Sequence, residues 1–452
     1  MSYEELVIKA LDGIYGLGDL SDVFIEVSSG ESVKIEDNKL ELSTYGLKKG
    51  MGLRVVKGEG TYYYHGYPEA KFLDDGIKAL REALNLGKVG KLKANQPLRR
   101  EMVCLERIPL PEIVDLLWKL NEFFRKSELV KQVVLSYRRS TQEVWIGNDE
   151  GRVVSDLRLY TFLSMGVVVE KDGRLESGYE VIGGTRGDEI IKDKDPFLLA
   201  ERVLKRAITS LSALPAPAGV MDVVISGEAG GTMIHEACGH GLEADIVRKE
   251  GSVYADKIGE EVASPLVTLI DDGSLSGLGG SIGFDDEGTP PKRTVLIEKG
   301  VLKGYLTDRL SSKLMNLPLT GNGRREGFED YPIPRMTNTF LEPGDHDFDE
   351  IVSSVDNGLL VLRMGGGEVN STDGNFVFRV NEGYLIEKGK IGKPVRGALL
   401  IGNGPQVLKN VKMVGKDLIF DVGMCGKDGQ SVPVGDGQPT LLVGGLVVGG
   451  ER

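Results

Sequence analysis

The sequence predicts an α+β protein in two parts: an N-terminal α+β domain with an antiparallel sheet over residues 1–212, and a mostly-β domain over residues 219–452. In the first part, helical spacing of apolar residues alternates twice with strand-like spacing. Pro215-Ala216-Pro217 then interrupts the chain, as expected of a domain boundary. Beyond it, short apolar strands and glycine turns predominate. This pattern is typical of a sandwich or barrel-like body, which here carries one short histidine-containing helix.

The elements of the first part follow from local periodicity. Apolar residues recur at helical spacing in four segments, which are 3–16, 69–86, 111–126 and 197–211. Between the first two, apolar residues alternate as in half-buried strands, with hairpin turns expected at 28–30 and 57–60. Residues 88–100 are polar and basic and are interpreted as a solvated connector.

Composition limits the class of protein. Lys plus Arg is 55 and Asp plus Glu is 68, which gives a net charge of −13 without a basic stripe. Such a chain is not expected to have nucleic acid as its main ligand. Three cysteines indicate a reducing compartment without a disulfide framework. Since we find neither a signal-peptide pattern nor an apolar run of about 18 residues, we expect a cytoplasmic protein that does not bind a membrane.

The segment His235-Glu236-Ala237-Cys238-Gly239-His240 is the strongest functional signal. The chain has four histidines, and two of them lie here with a glutamate beside the first. Two imidazoles can hold a zinc-type ion, and Glu236 can act as the general base that takes a proton from the attacking water. The alternative is a helix with two structural histidines.

The spacing of the two histidines predicts an irregular helix. They are five residues apart, which on a regular α-helix leaves their side chains roughly 140° apart, so they could not share one ion. Either a π-type turn realigns them, or the helix ends before His240. Gly239 and Gly241 would ease both distortions. We therefore predict a distorted turn at residues 238–241.

A catalytic zinc usually has a third protein ligand. The residues alone leave six candidates, which are Cys425, Cys238, Glu243, Asp245, His65 and His346. Cys425 lies in a glycine-flanked loop rather than in apolar surroundings. Cys238 would form a cramped chelate and is better explained as a small packing residue. The two remaining histidines have the context of structural or solvated side chains.

At this point the sequence resembles the TldD/PmbA family of metallopeptidases, of the TldD (active) type. The resemblance rests on seven stretches, which are His235–Asp245, Asp285–Pro290, Thr320–Glu326, Pro334–Thr339, Gly365–Gly367, Cys425–Ser431 and Pro433–Thr440. It implies that His235, His240 and Cys425 bind one Zn²⁺ per chain and that Glu236 is the base. It also implies small or unfolded peptides as substrates, and a homodimer or a heterodimer with a PmbA/TldE-like paralogue.

Two further groups are candidates for substrate binding. Gly366 and Gly367 offer bare backbone that could pair with an extended peptide, or they form a tight bend. Arg324 and Arg325 could hold a substrate carboxylate or an oxyanion, or they form structural ion pairs. Two rival functions also follow from the sequence: a non-catalytic scaffold subunit, and a metal-dependent amide or ester hydrolase acting on a small metabolite.

Overall fold

The structure is a computed structural model of the 452-residue chain, and it describes residues 1–85, 92, 94–99, 106–370 and 372–450. Residues 88–91, 93 and 100 of the basic connector predicted at 88–100, together with Cys104, lie outside the described residues. The fold is α+β, with an antiparallel N-terminal sheet followed by a β-rich region, as the sequence predicts. In the described part of the chain, no helix has both the length and the apolar composition needed to span a membrane.

In its described residues, the N-terminal region contains five helices and seven strands. The helices are α1 (Tyr3–Ile14), α2 (Ala70–Leu84), α3 (Leu110–Arg125), α4 (Glu189–Asp193) and α5 (Pro196–Leu211). The strands are β1 (Leu20–Glu36), β2 (Lys39–Lys57), β3 (Gly60–Gly66), β4 (Leu98–Arg99), β5 (Val130–Asn148), β6 (Val153–Lys171) and β7 (Arg174–Gly184). They form one sheet in the order β3-β2-β1-β5-β6-β4, with β7 also paired to β6.

The four helices predicted from apolar spacing are confirmed, and each lays its apolar stripe on the sheet. A capping box between Ser2 and Glu5 starts α1, which packs with α2 against one end of the sheet. The buried stripe of α3, including Leu117 and Phe124, packs with that of α5 against the other end. Together these two apolar clusters bury one face of the long sheet.

One predicted turn is wrong. Residues 28–30 lie in the middle of β1, where Ser28 pairs with Lys48 of β2 and with Gln142 of β5. Backbone pairing on both sides keeps this polar, glycine-containing stretch extended, because it satisfies the amide and carbonyl groups that a turn would otherwise use. The turn predicted at 57–60 is confirmed, since it joins β2 to β3.

The part of the C-terminal region that the structure describes contains sixteen strands and five short helices. The strands are β8 (Leu214–Pro215), β9 (Gly219–Ile225), β10 (Leu269–Asp272), β11 (Arg293–Glu298), β12 (Val301–Leu302), β13 (Gly323–Arg324), β14 (Ile333–Pro334), β15 (Asn338–Leu341), β16 (Asn357–Val369), β17 (Asn375–Glu387), β18 (Lys390–Arg396), β19 (Leu399–Asn403), β20 (Val411–Val414), β21 (Ile419–Lys427), β22 (Gln430–Gln438) and β23 (Leu441–Gly449). The helices are α6 (Thr232–Ile234), α7 (Ala244–Arg248), α8 (Arg309–Met315), α9 (Phe348–Ser353) and α10 (Gly404–Lys409).

A five-stranded barrel organises this region. Strands β16, β9, β23, β19 and β17 pair in that order, and pairing of β16 with β17 closes the ring. Its interior is apolar and includes Val223, Leu359, Phe378 and Val443. Beside it lies a six-stranded sheet in the order β12-β11-β10-β15-β22-β21, which ends in the β21–β22 hairpin. The chain leaves barrel strand β9 and enters the His235–His240 segment directly, so this segment lies between barrel and hairpin.

The two regions meet through a buried group of charged side chains, called here the arginine cluster. Its members are Asp22, Arg54, Arg158, Asp286, Glu287, Arg309 and Arg325. Arg54 of β2 bonds Asp22 and Glu287, and Arg325 bonds Asp22 at 3.0 Å. Arg158 of β6 lies 2.8 Å from Asp286. The contacts join the N-terminal sheet to the segment around residues 285–287.

Candidate metal centre

The His235–His240 segment contains the distorted turn that the spacing predicts. α6 passes into a π-helical turn at His235–Gly239, which is followed by a 3₁₀ turn at His240–Leu242. The amide of His240 donates to the carbonyl of His235, five residues earlier. This wider turn brings the two imidazole rings to a centroid distance of 5.1 Å at an interplanar angle of 89°. The prediction of a distorted turn is therefore confirmed.

Gly239 is required by packing rather than by backbone conformation. Its φ of −58° is ordinary for a helix. A β-carbon at this position, however, would lie 2.1 Å from Sδ of Met336. The π turn thus packs closely against the segment that precedes β15, which fixes the position of His240.

Cys425 completes a cluster of three donors. The ligand atoms of His235, His240 and Cys425 all lie within 4.8 Å of one another, and all three residues are buried. Sγ of Cys425 lies 3.4 Å from Nε2 of His240. Cys425 is supplied by β21, so the hairpin brings it to the histidines from across the fold. Two imidazole nitrogens and a thiolate are a donor set that suits zinc, and a fourth position would be left for water or substrate.

The other candidates for the third ligand lie elsewhere or have other partners. Cys238 is buried, and burial raises the pKa of its thiol to about 12. His65 is exposed on β3, and His346 is half-buried near α9. Asp245 contacts Lys427 rather than a histidine. Glu243 contacts the far side of the His240 ring.

Each imidazole has its own carboxylate partner at Nδ1. Oδ1 of Asp436 lies 2.6 Å from Nδ1 of His235, and Oε2 of Glu243 lies 2.9 Å from Nδ1 of His240. A carboxylate in this position fixes the ring and its tautomer, and leaves Nε2 to bind a metal. Asp436 was not among the candidate site residues predicted from the sequence. The available signal was an acidic residue between Gly435 and Gly437 in one of the family-like stretches.

The electrostatics of the three donors favour a thiolate. Burial alone would raise the pKa of Cys425, but His235 and His240 outweigh it and lower the pKa to about 5. Burial would lower the pKa of His240, but Glu243 and Cys425 raise it to about 9. The pKa of His235 is likewise raised, since Asp436 and Cys425 outweigh the effect of its burial. A thiolate is the form of cysteine that binds metals.

Glu236 is the motif residue with access to solvent. Its side chain is 34% exposed, and Oε2 lies 3.9 Å from Nε2 of His240. The carboxylate therefore lies beside the donor cluster without taking part in its Nδ1 contacts. That is a suitable place for a proton-transfer group next to a bound substrate.

The four residues predicted to bind substrate have different surroundings. Arg324 is buried and donates to the carbonyls of Met336 and Pro433. Arg325 is buried in the arginine cluster. Gly366 has open space where a β-carbon would lie, whereas at Gly367 that carbon would come within 2.0 Å of Phe378. Both glycines belong to β16 in a stretch with register shifts.

Models of known protein families match three parts of this chain. The models of the PmbA/TldA metallopeptidase C-terminal domain, central domain and domain 1 match residues 218–450, 105–211 and 21–86, respectively. The chain belongs to the TldD/PmbA family of metallopeptidases. The family and the enzyme class predicted from the sequence are thereby confirmed. The division into domains at 1–212 and 219–452 stays a prediction.

Two relatives give the extent of the similarity. The metalloprotease TldD homolog of Haemophilus influenzae is 38% identical over 450 residues, covering 96% of this chain and 93% of the relative. The zinc metalloprotease TldD homolog of Saccharolobus solfataricus is 33% identical over 287 residues, covering 63% of this chain and 64% of the relative.

Solved structures share the fold. A putative modulator of a DNA gyrase from Thermotoga maritima has a TM-score of 0.81 at 23% identity, covering 99% of this chain and all of that one. TldE from Thermococcus kodakarensis has a TM-score of 0.78 at 19% identity, with 99% and 100% covered. At these identities the likeness concerns the fold alone.

Proposed function

We propose that the chain is a zinc-dependent peptidase that hydrolyses small or unfolded peptides. The observation that carries this proposal is the convergence of His235, His240 and Cys425 beside the solvent-accessible Glu236. The donor set suits zinc, and one relative is named a zinc metalloprotease. Small or unfolded peptides are the substrates that the family resemblance implies.

In the proposed mechanism, His235, His240 and Cys425 would hold the ion. When bound, zinc supplies Lewis-acid chemistry that polarises a carbonyl and acidifies water. Glu236 accepts a proton from the attacking water while the oxygen of this water forms a bond to the carbonyl carbon of the substrate. The carboxyl group then gives this proton to the amide nitrogen as the C–N bond breaks, which releases an amine and a carboxylate. Asp436 and Glu243 keep the two imidazoles oriented throughout.

An extended peptide is proposed to lie along β16 near Gly366 and Gly367. Strand β9 pairs with β16 only at residues 358–361, so among the described strands nothing covers that edge farther along. Open space at Gly366 would let a substrate backbone approach closely, as in strand addition. β16 also contacts the π turn that contains Glu236. For Arg324 and Arg325, the internal hydrogen bonds favour the structural alternative.

Elemental analysis tests the metal site. We expect about one zinc per chain in the wild type and a sharp loss in Cys425→Ala. Cys238→Ala is the matched control, because it removes a buried thiol that lies outside the donor cluster, and it should keep its zinc. A zinc-rich Cys425→Ala variant would move the third ligand elsewhere. A wild type that is metal-free and refuses added zinc would favour a scaffold subunit.

A broad peptide-cleavage screen tests the reaction. Zinc-dependent peptide products, separated by mass, are expected. Zinc-dependent ester or amide turnover on small molecules without any peptide product would favour the metabolite hydrolase. Chelation followed by zinc addition distinguishes either activity from a contaminating protease.

We also propose that the chain pairs with a second subunit, either itself or a PmbA/TldE-like paralogue. Four exposed aliphatic residues on neighbouring barrel strands, directly paired in register, support this proposal; they are Val220, Val447, Ile401 and Val377. Light scattering should show a dimer, alone or after mixing with the paralogue. Ile401→Glu should weaken it, whereas Ile391→Glu, exposed on β18, should not. Monomers in all mixtures would contradict the proposal.

A further inference from the structure

Lys427 is a buried lysine beside the metal centre, and neither its charge nor its position is used by the proposed mechanism. It follows Cys425 by two residues on β21, and alternate residues of a strand point to the same face. The strand therefore presents a thiol and an ammonium group side by side to the histidine segment. The Lys427 side chain is only 8% exposed.

The ammonium group of Lys427 contacts three acceptors from two separate segments of the chain. Nζ lies 3.1 Å from Oε2 of Glu243 and 2.7 Å from Oδ1 of Asp245, and it donates to the carbonyl of Pro334 at 2.9 Å. An ammonium group has three N–H donors, so this arrangement uses all of them. A buried charge with complete, directed partners has a defined position.

These contacts close a ring around His240. Nε2 of His240 faces Sγ of Cys425, and Nδ1 faces Oε2 of Glu243. The same Oε2 accepts from Lys427, which returns to Cys425 through two residues of backbone. The other oxygen, Oε1 of Glu243, is buried without a hydrogen-bond partner in the described structure. The Glu243 carboxylate is thus held through Oε2 alone, by His240 and Lys427.

The contact between His235 and Asp436 differs from the contact between His240 and Glu243. Asp436 is less deeply buried than Glu243, and the cation bound to Glu243 has no counterpart among the contacts described for Asp436. A fully buried carboxylate costs several kcal/mol of desolvation unless a cation compensates it, so Glu243 depends on Lys427 in a way that Asp436 does not.

We propose that Lys427 is a positioning residue for the zinc ion: by holding the Glu243 side chain in place, it fixes the His240 imidazole toward Cys425 and thereby sets zinc affinity. This inference rests on the proposed function, since it requires His235, His240 and Cys425 to bind zinc. Lys427 itself contacts none of the three donor atoms and acts through Glu243 and the strand.

Zinc titration against a chromophoric chelator tests the proposal on the full chain near neutral pH. Lys427→Met removes the charge at similar volume and should weaken zinc binding by about tenfold or more. Lys416→Met is the matched control, because Lys416 forms an exposed ion pair with Asp347, and it should bind zinc like the wild type. Thermal unfolding of the zinc-free proteins is measured alongside. A merely structural lysine would lower the melting temperature but leave the zinc affinity of the folded protein within about twofold of wild type, which would overturn the proposal.

A double-mutant cycle tests the route through Glu243. In a Glu243→Gln background, Lys427→Met should change zinc affinity by no more than about twofold, because the carboxylate that Lys427 holds is gone. Independent, multiplying effects would contradict the route. If Lys427→Met does not fold, Glu243→Gln alone decides, since it conserves volume: about tenfold weaker binding supports the inference, and unchanged binding rejects it. Absence of zinc from both the wild type and Lys416→Met would instead reject the metal site itself.

Discussion

The metal centre and the arginine cluster are both buried and densely charged, but the charged groups within them are arranged differently. In the arginine cluster, guanidinium groups alternate with carboxylates, as in Arg54 between Asp22 and Glu287. In the metal centre, two imidazole nitrogens and a sulfur converge on one another, and the carboxylates lie behind the rings. The charges of the arginine cluster are satisfied by ion pairs within the cluster. The ligand atoms of the metal centre instead surround a position that suits a cation.

The difference shows that burial and charge alone do not identify a functional site. The acidic run 285–287 has the composition of a cation site. Asp285, however, accepts hydrogen bonds from the amides of Glu287, Thr289 and Gly323, and Arg158 pairs with Asp286. The distinguishing feature is the convergence of ligand atoms from His235, His240 and Cys425, because a single zinc ion can bind two imidazole nitrogens and a thiolate together.

The largest expected effect separates chemistry from binding within the metal centre. Glu236→Gln should lower kcat by about 10³-fold, since it removes the proton acceptor but keeps the shape of the side chain. Zinc content should stay at the wild-type value. Glu228→Gln, an exposed glutamate shortly before the motif, is the control and should keep full activity. Full activity in Glu236→Gln would reject the assignment of the base.

Substitutions in the arginine cluster should change the stability of the protein rather than its zinc content. Arg54→Met leaves Asp22 and Glu287 buried without their shared cation, and should cost about 3–5 kcal/mol in the free energy of unfolding measured with denaturant. The folded fraction should still bind zinc. Arg293→Met breaks an exposed pair with Glu342 and should cost less than about 1 kcal/mol. Loss of zinc from folded Arg54→Met would show that the two regions are coupled.

A third variant tests the carboxylate behind the His235 ring. Asp436→Asn conserves volume but removes the charge next to Nδ1, and should weaken zinc binding by about 10–100-fold in a chelator competition. Asp347→Asn alters an exposed carboxylate far from the centre and serves as the reference. Wild-type affinity in Asp436→Asn would mean that packing alone orients His235.

The sequence predicted what depends on local pattern. The amphipathic spacing of Ile113, Leu117, Leu120 and Phe124 defined α3 because those residues lie on one helix face whatever they pack against. The distorted turn followed from the five-residue separation of His235 and His240, and the π turn is one of the two alternatives that this separation allowed. In both cases the geometry depends on neighbours in the chain.

The features that were not predicted from the sequence depend on contacts between residues far apart in the chain. The turn predicted at 28–30 failed because β2 and β5 hold that stretch extended, and local turn preference carries no information about them. Cys425 is 185 residues from His240, and only the family resemblance joined them. The β21–β22 hairpin brings Asp436 to His235 and Lys427 to Glu243, and no local pattern specifies where this hairpin lies.

The smallest expected effect lies at the outer edge of the metal centre. Asp245→Asn leaves Lys427 bonded to Glu243 and Pro334, and weakens a single charged hydrogen bond two contacts away from His240. Asparagine keeps an oxygen that can accept from Lys427, so only part of a charged bond of about 1.5–3 kcal/mol is lost, and zinc affinity should fall by about two- to tenfold, less than in Lys427→Met. The same chelator competition measures both variants. Equal losses in the two would mean that Lys427 acts by anchoring α7 rather than by holding Glu243, because Asp245 is its only contact on that helix described here. A smaller loss of zinc affinity in Asp245→Asn than in Lys427→Met would support the contact with Glu243 as the way in which Lys427 affects zinc binding.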